Sequence, residues 1–150
     1  MRQLLLIATV MLGLLAGCGS APRSAAGKVP LGDEQRRLAE LFRGTPVVFQ
    51  MQSDGSLRVE VPLRYSFDRG ASAVKPPLAA VLDRVALGQR AQTTRLRVAA
   101  PADAAAHNTG LARDRAASTR DYLVAHGIAV TRFAPLATAS GEQLEITVAD

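Results

Sequence analysis

The sequence predicts an α+β domain in which a mixed sheet carries its helices on one side. Three observations point there. Strict period-two alternation runs through LRVEVPLRY (57–65) and LEITVAD (144–150). Between them lie segments of helical period, such as Leu78, Val81, Leu82 and Val85 at i, i+3, i+4 and i+7. Their order is β, β, α, β, α, β, β, and strand–helix–strand successions close by right-handed crossovers that leave the helices on one face. A chain of 150 residues with 48% apolar composition builds one such core and has no room for a second.

Ahead of this domain, residues 1–17 read as a lipoprotein signal peptide. Arg2 is followed by an apolar run from Leu4 to Leu15 and by small residues just before Cys18. That run is shorter than the roughly 20 apolar residues of a transmembrane helix. Leu15-Ala16-Gly17-Cys18 resembles the bacterial lipobox, which implies a lipid-modified, palmitate-bearing Cys18 as first residue of the mature chain. With Gly19 rather than an aspartate next to it, the resemblance implies the outer membrane. Cys18 is the sole cysteine, so no internal disulfide forms. Residues 18–32, rich in small residues, Pro and Gly, read as lipidated cysteine and flexible tether, and 33–150 as the folded domain.

Within the domain, Asp33 is placed to cap a short helix through Arg43, with Leu38, Leu41 and Phe42 on one face, ended by Gly44 and Pro46. VVFQMQ, the turn residues SDGS and LRVEVPLRY form a hairpin. Pro62 has no N–H, so its nitrogen side faces an edge or a bulge. Pro76 and Pro77 open a helix that Gly88 is placed to stop. RLRVAA (95–100) is the next strand, followed by a helix ending at His126-Gly127. VTRFAPLA (130–137) reads as a less regular strand, and LEITVAD as the last. Phe67 belongs in the core, Asp68 is a turn or cap acceptor, and the Tyr122 hydroxyl seeks water or a carbonyl.

Composition narrows the function classes. The formal charge is +5, from 16 Arg and 2 Lys against 13 acids. Export, 4% aromatics and the lack of a Lys/Arg block argue against nucleic acid. Two readings of the basicity stand: a surface for anionic glycan or lipid headgroups, or a mixed surface with more Arg than acid. No GxSxG, HExxH, P-loop or CxxC pattern occurs. The chain is therefore read as no enzyme, with no cofactor and no metal. His107 and His126 fall on one helix too far apart to chelate together.

The informative residue is Arg115. In NTGLARDRAASTRDYL (108–123), helical spacing gathers Leu111, Ala112, Ala116, Thr119, Tyr122 and Leu123 on one face. Arg113 and Arg120 fall on the other, as solvated charges. Arg115 falls in the middle of the apolar face, where an unpartnered guanidinium would cost several kcal/mol. It needs the anion of a ligand, or else it snorkels past the small Ala112 and Ala116 to water or to an internal acid.

The same stretch carries a resemblance. Asn108-x-x-Leu111-Ala112-x-x-Arg115-Ala116-x-x-Thr119-x-x-Tyr122-Leu123 resembles the NxxLSxxRAxxVxxYL signature of the OmpA-like, peptidoglycan-binding domain. LRVEVPLRYSFDRGASAVKP resembles that family's first strand and the Phe-Asp segment after it. LRVAAPAD resembles the second strand, and GIAVTRFAPLA and QLEITV the last two. The likeness spans about Gly44 to Val148. It implies a β-α-β-α-β-β sheet, preceded here by an extra N-terminal helix and strand, that docks on the diaminopimelate of peptidoglycan stem peptides. Residue by residue, it implies ligand contacts at Asp103 and Arg115, with Asn108 nearby. A carboxylate suits an ammonium, and a planar guanidinium suits a carboxylate. Three features depart from the pattern. Ala102 and Ala112 replace a threonine and a serine, the segment from Asp103 to Asn108 is short, and Gly141-Glu142-Gln143 stands where the family often has Asn-Arg-Arg.

The sequence leaves two geometries open. If Asp103 caps an unbroken helix, twelve residues place it about 18 Å from Arg115. If the chain breaks near Asn108-Thr109-Gly110, the two side chains can meet. The expected function is an outer-membrane lipoprotein facing the periplasm, linking membrane to peptidoglycan. The alternatives are a protein–protein scaffold on the same fold among other envelope proteins, and an envelope hydrolase, for which no nucleophile or carboxylate pair stands out.

Overall fold

The structure, a computed structural model, describes residues 27–104 and 109–150. Cys18, His107 and Asn108 lie outside the described residues, as does the expected signal peptide. Along the chain come α1 (Leu31–Leu41), β1 (Val48–Met51), β2 (Leu57–Pro62), α2 (Leu63–Ser66), α3 (Pro76–Gln89) and β3 (Arg95–Ala100). They are followed by α4 (Thr109–Ala125), a 3-10 turn (Val130–Arg132), β4 (Ala137–Thr138) and β5 (Gln143–Ala149). The strands form one sheet in the order β1-β2-β5-β3-β4. All neighbours are antiparallel except the parallel β3–β4 pair. This is the α+β mixed sheet expected, with the extra helix and strand in front.

Register explains the single core. Leu57, Val59 and Val61 stand opposite Val148, Ile146 and Leu144, and Leu96 and Val98 stand opposite the same Val148 and Ile146. All are buried, and burying each such side chain contributes about 1.5–3 kcal/mol. Leu78, Val81, Leu82 and Val85 of α3 and Ala116 and Leu123 of α4 pack over them. The opposite face of the sheet is polar. There Glu60 and Glu145 face each other across two strands, and Arg58 lies between them at 3.3 and 2.6 Å, relieving a like-charge pair.

Several element ends differ from expectation, each for a physical reason. Helix α1 begins at Leu31, with Pro30 at the cap position and no side-chain cap. Asp33 is inside the first turn, paired with Arg36, and the helix stops at Leu41 rather than Arg43. The alternation of 57–65 does not continue as strand past Pro62. The last β1–β2 pair is Val48 with Glu60, so Pro62 lies beyond the end of β1, where its missing N–H leaves no ladder bond unmade. The chain then turns into α2, and Leu63 N donates to Glu142 O at 2.9 Å. VTRFAPLA contributes the 3-10 turn, one bridge between Phe133 and Leu96, and the two residues of β4. Arg132 turns inward there and donates to Thr94 O, Gln89 O and Thr94 Oγ1 at 2.7, 2.8 and 2.7 Å. The Tyr122 hydroxyl donates to Asp83 Oδ1 at 2.8 Å, not to a carbonyl, and its ring stacks on His126 at 4.2 Å.

Gly88 does not stop α3 but lies inside it. Its role is set by α1, which buries Leu31, Glu34 and Leu38 and covers β1 through Gln35 Nε2, a donor to Phe49 O at 2.9 Å. Glu34 is held bidentately by Arg37 Nε and Nη2 at 2.8 and 2.6 Å, and Arg37 also reaches Arg84 O at 3.2 Å. A Cβ on residue 88 would fall inside contact distance of the Glu34 carboxylate. The glycine makes room for a buried acid between two helices.

At the far N-terminal side, Lys28 Nζ pairs with Asp150 Oδ1 at 3.0 Å and Val29 N reaches Gln92 Oε1 at 3.3 Å. The chain thus enters the domain at the end of the sheet where β5 finishes and β3 begins.

Gly88→Ala should lower stability by about 1–3 kcal/mol in urea unfolding, because the added methyl overpacks a pinned side chain. In a Glu34→Ala background the same change should become neutral or stabilising by up to about 1 kcal/mol, since alanine is the better helix former. Equal destabilisation in both backgrounds would show that Glu34 is not what the glycine accommodates.

Candidate ligand-binding site

Helix α4 begins at Thr109, so Asp103 is not part of it. Asp103 Oδ1 accepts a hydrogen bond from Arg115 Nη2 at 2.7 Å. The open alternative of two residues about 18 Å apart on one helix is therefore not what the structure holds. Among the sequence-nominated residues, Asp103 and Arg115 are brought together; the placement of Asn108 and Cys18 lies outside the described residues.

Arg115 lies on the buried face of α4, between the small Ala112 and Ala116, and has no exposed surface. Besides Asp103, its Nε donates to Ala71 O at 2.9 Å, Nη1 to Pro101 O at 3.0 Å and Nη2 to Asp68 O at 3.1 Å. Phe67, buried in the core, has its ring centroid 5.3 Å from the guanidinium carbon, within cation–π range. Four of the five guanidinium N–H bonds are thus occupied by acceptors of the chain itself. The internal partner that burial demands is present, and Arg115 meets the surface through Asp103 and through the carbonyls of the 68–71 turn.

The loop following α2 completes the arrangement. Asp68 to Ala71 forms a tight turn, closed by Ala71 N donating to Asp68 O at 3.1 Å. Gly70 sits in it at φ +70°, where a side chain would be strained. Gly70 N donates to Asp103 Oδ2 at 2.7 Å, so both carboxylate oxygens of Asp103 are oriented. The Arg115 hydrogen bond, then the Gly70 N–H, hold this carboxyl below the usual carboxylate range. The charges of Arg115 and Arg69 act in the same direction, and partial burial opposes them. With 18% of its side chain exposed, Asp103 is an ionised acceptor at a surface.

Two open grooves meet at Asp103. One, of about 480 Å³, runs between Ala102, Thr109 and Ala112 on one side and Thr138 to Glu142 on the other. The second, of about 860 Å³, is lined by Phe67, Arg64, Arg69 and Lys75. Asp103, Ala104 and Glu142 border both. Sequence reasoning did not single out Gly70 or Arg69, although Asp-x-Gly within SFDRGAS is a turn signature. The carbonyls that Arg115 binds have no residue-type signal at all.

This architecture recurs in solved structures. The periplasmic domain of Helicobacter pylori MotB is 12% identical with a TM-score of 0.57, over 75% of this chain and 83% of that one. A Pseudomonas aeruginosa protein described as the cell wall anchor of the T6SS is 20% identical with a TM-score of 0.64, over 76% and 94%. The OmpA-like domain of FopA1 from Francisella tularensis is 12% identical with a TM-score of 0.50, over 69% and 79%. No protein-family model and no curated protein sequence matches the chain. At these identities the likeness is one of fold: this chain has the OmpA-like fold.

Replacing Arg115 by Met should cost about 3–5 kcal/mol in urea unfolding, because Asp103 and three carbonyls lose their donor together; a loss under about 1 kcal/mol would contradict the described role. Asp103 links the same network to pH. Its folded pKa is depressed, so its contribution is present above the unfolded value of about 3.9 and is lost as pH falls through the folded value. Thermal melts should show wild type more stable than Asp103→Asn at neutral pH, with the gap closing in acid. A gap unchanged down to about pH 2 would separate the stability of the fold from this carboxylate.

Proposed function

We propose that the domain binds peptidoglycan stem peptides non-covalently, taking the diaminopimelate end at Asp103. On this reading the chain is an outer-membrane lipoprotein, lipidated on Cys18 and facing the periplasm, that links membrane to cell wall. Binding alone is involved; no reaction, cofactor or metal is assigned. The observation that carries the reading is the Asp103–Arg115 pair, an ionised acceptor aimed by two donors where two grooves meet. The zwitterionic end of diaminopimelate offers an ammonium to such an acceptor. Support comes also from the fold neighbour described as a cell wall anchor, and from the lipobox-like Leu15-Ala16-Gly17-Cys18.

The test is co-sedimentation of protein, purified from cells expressing the full chain, with isolated peptidoglycan at physiological salt. Wild type should pellet saturably, and Asp103→Asn, whose backbone contacts to Arg115 remain, should stay in the supernatant. Wild type remaining in the supernatant would turn the assignment to a scaffold for other envelope proteins. In fractionated cells, Cys18→Ser should leave the outer-membrane fraction for the soluble one; an unchanged distribution would remove the lipid anchor from the account.

A further inference from the structure

We propose that Arg69 takes the carboxylate of the bound ligand, presented on a turn that the buried Arg115 holds in place. This rests on the peptidoglycan reading and assigns the half of the zwitterion that Asp103 does not meet. Arg115 has at most one N–H bond left for that place in this structure, since four go to its own chain and its side chain is fully buried.

The grooves set the direction of the ligand. Among the described residues, the smaller groove has two carboxylates on its walls, Asp103 and Glu142, and no cationic side chain. The larger groove adds Arg64, Arg69, Lys75 and Asp68 to the same Asp103 and Glu142, so that its cations balance its acids. An ammonium is therefore favoured on the smaller-groove side of Asp103 and a carboxylate on the larger-groove side. Of the three cations, Lys75 is occupied by Asp68 Oδ1 at 2.9 Å and Arg64 O at 3.1 Å. The Arg64 guanidinium lies over the Tyr65 ring, 4.8 Å from its centroid. Arg69 is exposed and, among the described residues, has no hydrogen-bond or ion-pair partner.

The backbone of Arg69 is nevertheless fixed on both sides. Arg115 binds Asp68 O before it and Ala71 O after it, and the next residue, Gly70, binds Asp103 through its N–H. Its charge reaches the Asp103 carboxylate through space. A free guanidinium on a rigid turn beside the ammonium acceptor can pair with a planar carboxylate in the fork geometry that lysine lacks.

The experiment measures binding, by isothermal calorimetry, of protein purified from cells expressing the full chain to a soluble disaccharide tripeptide ending in diaminopimelate. Two ligand forms are compared: the carboxylate beside the free ammonium either free or amidated. Wild type should prefer the free carboxylate by about tenfold, the worth of one charge-assisted contact. Arg69→Gln should bind the free form about tenfold more weakly and the amidated form unchanged, with an unaltered unfolding midpoint, and Arg69→Lys should recover part of the preference. If wild type binds and Arg69→Gln keeps the full preference, the role of Arg69 is overturned while the peptidoglycan reading stands. If wild type binds neither form, both fall.

Discussion

A guanidinium with no exposed surface is the condition to which the rest of this domain is arranged. Desolvating it is expensive, and the fold answers with four acceptors drawn from two separate segments: Asp68 and Ala71, and Pro101 and Asp103. The two segments do not pair with each other as strands. Arg115 joins the turn before α3 to the end of β3 and to the loop leading into α4. The small Ala112 and Ala116 beside it leave space for the side chain, and Phe67 lends its ring face. One buried charge thus determines the shape of the surface above it, which it touches through Asp103 and the carbonyls of the 68–71 turn.

A second buried charge solves a different problem. Glu34 fastens α1 to α3 by occupying the gap left by Gly88, neutralised by the partly exposed Arg37. Removing a methyl from α3 is what lets α1 lie close, and α1 in turn covers the β1 edge through Gln35. An uncovered outer strand would offer its backbone groups to other chains. The two charges work at different places, one shaping the surface around Asp103 and one closing the sheet.

Most of the framework was legible because it follows local periodicity. The alternation in 57–61 and 144–148 placed two central strands, and the helical spacing of 78–85 and 111–123 placed two helices in their observed positions. Legibility failed where a tertiary contact overruled a local signal. Gly88 reads as a helix stop but is packed against a residue more than fifty positions away. Leu63 and Tyr65 continue the alternation, yet Pro62 ends the ladder and the chain coils. VTRFAPLA lost most of its strand because Arg132 is drawn inward to Thr94 and Gln89. In the site, Arg115 was conspicuous as a charge on an apolar face. Its carbonyl partners were invisible, because any residue supplies a carbonyl, and the orientation of Asp103 depended on the N–H of a glycine in a turn.

The ends of the sheet have opposite employments. Lys28 and Val29 are fastened where β5 ends and β3 begins, whereas Asp103 lies just past the other end of β3. The six residues of β3 separate the two by about 20 Å along the strand direction. A pull applied between the entering chain and a ligand at Asp103 is therefore directed along the strands. Under that load the ladders joining β5 to β2 and β3 are sheared, with many backbone hydrogen bonds resisting together, instead of being peeled one at a time. Were the domain to act as the proposed link between tether and ligand, its strong axis would coincide with the line of tension.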